Sequence, residues 1–403
     1  MIPEGWTFKE LNDLALIERG RFSVRPRNDP AYFGGSFPFV QTGDIASAGT
    51  YLCSHSQTLN DKGLSVSKLF PKDTILLTIA ANIGDTAITS YNVACPDSVV
   101  GIQAYKNIAD VYWLKKVLET KKNDLDAKAT QNAQKNINLQ TLKPLSIATP
   151  PLKEQRKISE ILSIWDEAIT IAERLLRNSQ QQKTSLSKKL LTGKRRFQGF
   201  NHPWKSMGLG ELFSRVTTKN NKTSTNVVTI SAQHGLVRQE DFFKKSVASE
   251  TLDNYFLITK GQFAYNKSYS NGYPMGAIKR LNKYENGVVT TLYICFEIAD
   301  QNANCPEFFE HYFEAGLLNK NLTKIANEGG RAHGLLNVKP SDFFELPVVI
   351  PELSEQRKIA QTLSAASYEI DILNQKLCCL RREKSVLMHE LLTGKRRVKT
   401  ETS

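Results

Sequence analysis

The residues best equipped for chemistry in this chain are hydrogen-bond donors. Arg21, Arg25 and Arg27 are followed directly by Asn28, with Arg19 just before them, and Lys219, Asn220, Asn221 and Lys222 crowd the corresponding stretch of the second half. A guanidinium or ammonium neutralises a phosphate or donates to guanine O6 and N7, and an Asn or Gln amide can pair with adenine N6 and N7. On that chemistry the candidates in the first half are Arg21, Arg25, Arg27, Asn28, Gln41, Thr42, Asn82, Gln131, Asn132, Gln134 and Lys135. Those in the second half are Lys219, Asn221, Lys222, Gln233, His234, Asn266, Lys267, Tyr269 and Arg331. Each residue type is also common in solvated loops, so these assignments rest on type and local company. Asp44 reads as a turn or cap residue, and Gly84 and Gly276 as tight turns.

Charge supports a polyanionic partner. The chain has 53 Lys and Arg against 40 Asp and Glu, a formal charge of +13, and an excess of this kind is the electrostatic footprint expected of nucleic-acid binding. Catalytic groupings are missing: no G-x-x-x-x-G-K-S/T phosphate loop, no G-x-S-x-G elbow and no H-E-x-x-H occurs. Pro96-Asp97 lacks the acidic-x-Lys partner of a nuclease cluster and reads as a turn, and Pro150-Pro151 lacks the flanking residues of an amino-group methyltransferase signature. The six cysteines show no C-x-x-C spacing, so neither zinc nor a disulfide framework is expected. Without an apolar run of membrane-spanning length or a secretory leader, the expected location is cytoplasmic.

The elements that must position these donors are set by a repeat. Residues 150–196 and 351–397 match at a constant offset of 201 without a gap: Glu154-Gln155-Arg156-Lys157-Ile158 recurs as Glu355-Gln356-Arg357-Lys358-Ile359, and Leu190 to Arg196 recurs as Leu391 to Arg397. Between these ends the apolar positions step by alternating fours and threes, the heptad a/d rhythm of a long helix. In the first copy the stripe is Ile158, Leu162, Trp165, Ile169, Ala172, Leu176, Ser179, Lys183, Leu186 and Leu190. In the second it is Ile359, Leu363, Ala366, Ile370, Leu373, Leu377, Leu380, Lys384, Leu387 and Leu391. Prolines precede each helix and Gly193 or Gly394 ends it, followed by Lys-Arg-Arg, which suits the negative end of a helix dipole.

Two matched stripes on one chain have the highest effective concentration for each other, so the helices are expected to pair within the chain. The alternatives are that each packs into its neighbouring domain or recruits another chain. A symmetric antiparallel register sets Lys183 opposite Ala366 and Lys384 opposite Trp165, whose ring could take the lysine stem.

The intervening segments also repeat, with Trp6 and Trp204 each followed by a Leu pair. Strands are expected at 37–40, 74–78, 87–89, 227–230, 262–265 and 288–297, and short helices at 112–120 and 307–315. The expectation is an α+β fold: two similar α/β domains, residues 1–150 and 199–350, separated by two long antiparallel helices, 151–198 and 351–403, in a pseudo-twofold intramolecular coiled coil.

Together the paired Pro-Leu-x-Glu-Gln-Arg-Lys-Ile and Leu-Leu-Thr-Gly-Lys-Arg-Arg segments, Gly5-Trp6 with Leu11 and Leu14, and Phe37-Pro38-Phe39-Val40-Gln41-Thr42-Gly43-Asp44-Ile45 resemble the DNA specificity subunit of type I restriction-modification systems over essentially the whole length. The resemblance implies a non-catalytic subunit. Each of its target recognition domains would read one half of a bipartite double-stranded DNA site, and the paired helices would fix the spacer and dock two methyltransferase subunits. S-adenosylmethionine, ATP and Mg would then serve those subunits and the motor-nuclease subunits, with none bound by this chain, and the target adenine would be flipped into the methyltransferase. The competing class is a coiled-coil adaptor that binds proteins and has no sequence-specific affinity for DNA.

Overall fold

The computed structural model describes residues 2–129, 136–243, 252–328 and 336–399. The chain divides into two compact units, Met1–Glu173 with Gln375–Ser403, and Arg174–Asn374. The boundary falls inside both long helices, so each unit combines one folded domain with a share of each helix.

The central helix runs Leu152–Leu190 and the C-terminal helix Leu353–Leu392, 39 and 40 residues. At 1.5 Å per residue each is roughly 60 Å long. Their stops follow the sequence: Gly193 and Gly394 have φ of 70° and 71°, the left-handed conformation that closes a helix at low cost for glycine. Every stripe position is buried or half-buried, while intervening residues such as Lys188, Arg382 and Glu383 are exposed.

In the first unit the start of the central helix packs against the end of the C-terminal helix. Arg381 donates to Glu173 at 2.7 Å, and Lys384 pairs with Asp166. In the second unit Ser179 of the central helix donates to Glu369 of the C-terminal helix at 3.2 Å. Pairing is therefore antiparallel within each unit. Lys384 lands one residue from its expected partner, on the Asp166 carboxylate rather than the Trp165 ring, because a direct ion pair outweighs an exposed cation–ring contact.

The helix ends do not only pair with each other. Ile158, Leu162, Leu391 and Leu392 join the first domain's core of Leu11, Leu14, Ile75, Ile102, Trp113 and Leu118. In the second unit Leu190, Leu191, Ile359 and Leu363 join Phe213, Phe263, Phe296, Phe308 and Phe309. Part of the apolar stripe thus belongs to the domain cores. Truncating Leu162 to Ala should cost about 2–5 kcal/mol, the usual loss for a fully buried leucine, read as a lower urea midpoint with an unchanged slope.

The first domain has a five-stranded sheet in the order 15–19, 99–104, 75–78, 86–89, 51–52, and a four-stranded sheet ordered 57–59, 33–39, 93–95, 68–70. The second has a four-stranded sheet ordered 213–216, 294–298, 263–266, 277–280. Two-stranded ribbons, Thr7–Glu10 with Ser146–Thr149 and Lys205–Gly208 with Pro347–Ile350, join the beginning of each domain to its end. The short helices are Val111–Thr120 and Pro306–Glu314. The run expected as one strand over 288–297 is two strands, Asn286–Val289 and Ile294–Ile298, in separate sheets. They are divided by a turn in which Tyr293 N donates to Thr290 O at 3.1 Å; a run rich in β-branched and aromatic residues, with no Gly or Pro, does not reveal a turn built on backbone hydrogen bonds.

Candidate nucleic-acid interface

Strand register gathers the candidates of the first domain. Strand Ala15–Arg19 ends with Arg19 opposite Val100, and strand Ile75–Thr78 ends with Thr78 opposite Val99, both antiparallel to Val99–Ala104. The segments that follow them therefore leave from the same sheet edge, where Val99–Ala104 begins. Backbone hydrogen bonds tie them there: Gly20 N to Val99 O, Arg21 N to Cys95 O, and Ile79 N to Ser98 O, with Asn136 bridging Ala80. Arg21, Arg25, Arg27, Asn28 and Asn82 lie on these segments and are exposed.

Asp97 organises the arginines. Arg27 grips its carboxylate with two contacts of 3.1 Å, and Arg19 Nε donates to its carbonyl at 2.5 Å. Arg21 and Arg25 donate to the backbone carbonyls of Ser67 and Val24, at 3.3 and 2.8 Å. Three of the four guanidiniums, those of Arg19, Arg21 and Arg25, are thus held by uncharged carbonyls and keep their charge for an incoming anion. The Arg27–Asp97 pair is exposed at 56% and 37%; such pairs contribute about 1 kcal/mol or less, so a phosphate can displace the carboxylate at little cost.

The second domain repeats the device. Strand Phe213–Val216 ends opposite Cys295 and strand Phe263–Asn266 ends beside Ile294, so the segments after both leave from the edge where Ile294–Ile298 begins. Lys219 donates to Asn254 O at 2.7 Å and lies 4.7 Å from the Phe256 ring centroid. Asn220, passed over as a reader, is buried and holds the turn through both Ser224 N and Ser224 O at 2.9 Å. Asn221 and Lys222 follow in left-handed conformation, φ 45° and 65°, and are exposed. At the other strand end, Asn266 accepts Ser268 N and Lys267 reaches Val338 O at 3.4 Å, burial pulling its ammonium pKa down. Tyr269 is 62% exposed. Gly276 closes this loop with φ 77°; a Cβ there would sit 2.2 Å from Asn266 O, so only glycine fits.

Other candidates lie on separate turns, though Phe33–Phe39 runs parallel to Val93–Cys95 and so carries Gln41 toward Cys95, whose carbonyl accepts Arg21 N. Gln41 and Thr42 begin the short helix Thr42–Ser47, where Gln41 N and Ser56 Oγ both donate to Asp44 and the Gln41 amide donates to Gln57 at 2.8 Å. Asp44 is thus a cap. Gln233 and His234 occupy the turn between Val228–Ser231 and Gly235–Arg238, in a cleft shared with Lys183, Arg280, Ser367 and Asp371. That cleft lies toward the Arg280 end of its strand, away from Asn266. Gln131, Asn132, Gln134, Lys135 and Arg331 lie outside the described residues.

Two arrangements escaped the sequence. In the first unit Glu154 accepts Trp6 Nε1 at 3.1 Å and two contacts from Arg397 at 2.7 and 3.0 Å, and Arg397 also donates to Glu4 O. In the second unit Glu355 accepts Trp204 Nε1 at 3.2 Å and two contacts from Arg196 at 2.9 and 2.7 Å. The last arginine of each Lys-Arg-Arg therefore grips the glutamate that begins the opposite helix, a stronger attachment than a helix dipole provides. The neighbouring glutamines fasten the helix starts: Gln155 accepts Asp110 N, and Gln356 accepts Cys305 N, each at 2.9 Å. The signal was present in the repeat itself, since both glutamates and both arginines lie in its matched ends. Deleting residues 393–403 should lower the thermal midpoint, because Glu154 stays buried without its guanidinium, and Glu154→Gln in the truncated chain should restore part of the loss by calorimetry.

The second arrangement is a polar knot around Asp166, which accepts Thr50 Oγ1 and Tyr112 OH, each at 2.6 Å, Lys116 at 3.0 Å, and Lys384. Burial alone would raise its carboxyl pKa, but Lys116 and the bonds from Lys384, Thr50 and Tyr112 prevail and hold it well below the usual carboxylate range. No sequence signal marks Lys115 and Lys116, which lie almost wholly buried beside Tyr112, Trp113, Leu114, Val117 and Leu118 of the same helix. Among the described residues, no group of three or more His, Cys, Asp or Glu is placed to hold a metal, and no helix is long and apolar enough to cross a membrane.

Residues 3–178 match the family model for the type I restriction modification DNA specificity domain. The putative type I restriction enzyme MjaX specificity subunit of Methanocaldococcus jannaschii is 24% identical, over 99% of this chain and 95% of that protein. The MjaVIII specificity subunit of the same organism is 22% identical over 99% and 94%. The fold is shared with the S subunit of a type I restriction-modification system from M. genitalium, at a TM-score of 0.59 and 16% identity, covering 97% of this chain and 96% of that one. It is shared as well with a chain from a structural study of complex assembly and conformational transition of the type I R-M system, at 0.57 and 16% identity, covering 98% and 100%.

Proposed function

We propose that this chain is a type I restriction-modification DNA specificity subunit, as its likeness to such subunits over 99% of its length supports, and that it reads a bipartite double-stranded DNA site, one half with each target recognition domain. The domains are residues 1–150 and 199–350, and the helical segments 151–198 and 351–403 act as the spacer that sets the unspecified gap. The observation that carries this reading is the duplicated sheet edge. Each domain sends basic and amide side chains from the ends of two parallel-running strands on either side of a third. Phosphate contacts from Arg21, Arg25, Lys219 and Lys222 would place the duplex, and Asn28, Asn82 and Asn221 would read base edges.

Chemistry then belongs to partners. Two methyltransferase subunits dock on the paired helices and use S-adenosylmethionine on a flipped adenine, and motor-nuclease subunits supply ATP- and Mg-dependent cleavage, all in the cytoplasm. This chain contributes position and no reacting group.

Exchange of residues 1–150 for the corresponding domain of another specificity subunit, with the methyltransferase co-expressed, should change one half of the methylated sequence and leave the other intact. Insertion of one heptad in the central helix should lengthen the gap alone. Should the insertion alter the bases read in either half, the spacer reading fails; absence of any site preference would favour the adaptor class.

A further inference from the structure

The first unit holds a cavity of about 410 Å³ between the segment around Ile45–Thr50, the turn at Gly84–Thr86, the helix Val111–Thr120 and the long helices at Asp166 and Lys384. Its lining carries four ammoniums, Lys115, Lys116, Lys122 and Lys384, and three carboxylates, Asp85, Glu119 and Asp166. None of these groups is among the residues assigned to DNA reading.

Donor counting separates the four lysines, each of which has three N–H groups and no acceptor. Lys116 is satisfied by Thr50 at 3.1 Å, Glu119 at 3.1 Å and Asp166 at 3.0 Å. Among the described residues, Lys115 has only Glu119 at 3.1 Å, Lys122 only Asp85, and Lys384 only Asp166. Each of these three keeps two N–H groups unspent. Lys115 is 2% exposed, so water has little access to its donors, and burial followed by repulsion from Lys116 lowers its pKa to about 8. Thr86, 8% exposed and part of the same lining, has a buried hydroxyl with no partner. Leaving such groups unmatched is costly.

We infer that this cavity binds a phosphate-class oxyanion, free or as the phosphate of a nucleoside monophosphate, held by Lys115, Lys122, Lys384 and Thr86. Six N–H groups and one hydroxyl match four oxygens better than the two of a carboxylate, and the volume is that of a small-molecule site. Because Lys384 comes from the C-terminal helix and the others from the folded domain, an occupied site ties the two together and stabilises the unit.

Thermal unfolding of the full chain tests this, with sodium phosphate compared against sodium chloride at matched ionic strength. Phosphate should raise the midpoint saturably by several degrees, as a ligand of the native state does, and chloride should not. Lys115→Met should abolish the saturable rise, and Lys122→Met, at a residue 47% exposed and safe for folding, should weaken it. Tighter binding of AMP than of inorganic phosphate identifies a nucleotide as the source, and equal or weaker binding identifies the free ion. Three results overturn the site: an equal rise in chloride, an undiminished rise in both variants, or displacement of phosphate by short duplex DNA, which would make the anion a DNA phosphate.

Discussion

Replacement of Asp166 by alanine is expected to destabilise the first unit by about 3 kcal/mol, the lower end of the range for breaking a buried ion pair. The carboxylate is 23% exposed, but Lys116, which it serves, is 1% exposed, and the Tyr112 hydroxyl and Lys384 lose an acceptor with it. For a unit of this size about 3 kcal/mol corresponds to a fall of roughly 6–12 °C in the thermal midpoint. Lys116→Met in the same chain should recover part of the loss, because it removes a buried ammonium left with Glu119 as its one carboxylate among the described residues.

The pH dependence has a definite sign. The folded carboxyl has a pKa below its ordinary value, so its contribution is complete above the unfolded pKa of about 3.9 and is lost as pH falls through the folded value. The stability gap between the wild type and Asp166→Asn should therefore be constant from about pH 5 to 8 and close in stronger acid. A gap that widened in acid would contradict the arrangement described.

The second large effect concerns DNA. Replacing Arg21, Arg25 and Arg27 together by glutamine should weaken duplex binding by the full chain by tenfold or more at low salt. It should also flatten the plot of log affinity against log salt by about one for each phosphate contact removed. Asp97→Asn should act in the opposite sense. It releases the Arg27 guanidinium, one nitrogen of which meets both Asp97 oxygens, so general affinity and the salt slope should both increase. Equal slopes in wild type, triple variant and Asp97→Asn would remove the first domain's edge from the DNA interface. The Arg21 and Arg25 contacts are the more telling ones, since each donates to an uncharged carbonyl and has no carboxylate to exchange for a phosphate.

These outcomes draw on features of unequal visibility in the sequence. The long helices, their stops at Gly193 and Gly394 and their buried stripe follow from a heptad rhythm and a glycine, both local signals that propensity and periodicity express directly. Pairing of the stripes follows from duplication. The short helices at Val111–Thr120 and Pro306–Glu314 and the strands expected at 37–40, 74–78, 87–89, 227–230 and 262–265 were visible for the same reason, whereas the many shorter strands and the turn that splits 286–298 depend on backbone hydrogen bonding and were not.

What the sequence determined by itself is thus the periodic part: two long helices of matched length, two domains that alternate with them along the chain, and donor-rich loops of the right chemistry. The tertiary structure alone decided which donors share an edge, because strand register brings the ends of Ala15–Arg19 and Ile75–Thr78 to one place across more than fifty intervening residues. It also decided that Gln233 stands elsewhere, that Glu154 is gripped by Arg397 from 243 residues away, and that Asp166 gathers Thr50, Tyr112, Lys116 and Lys384. Charge-assisted contacts of this kind carry no period and no fixed spacing; they exist only once apolar burial has brought distant segments within hydrogen-bond reach.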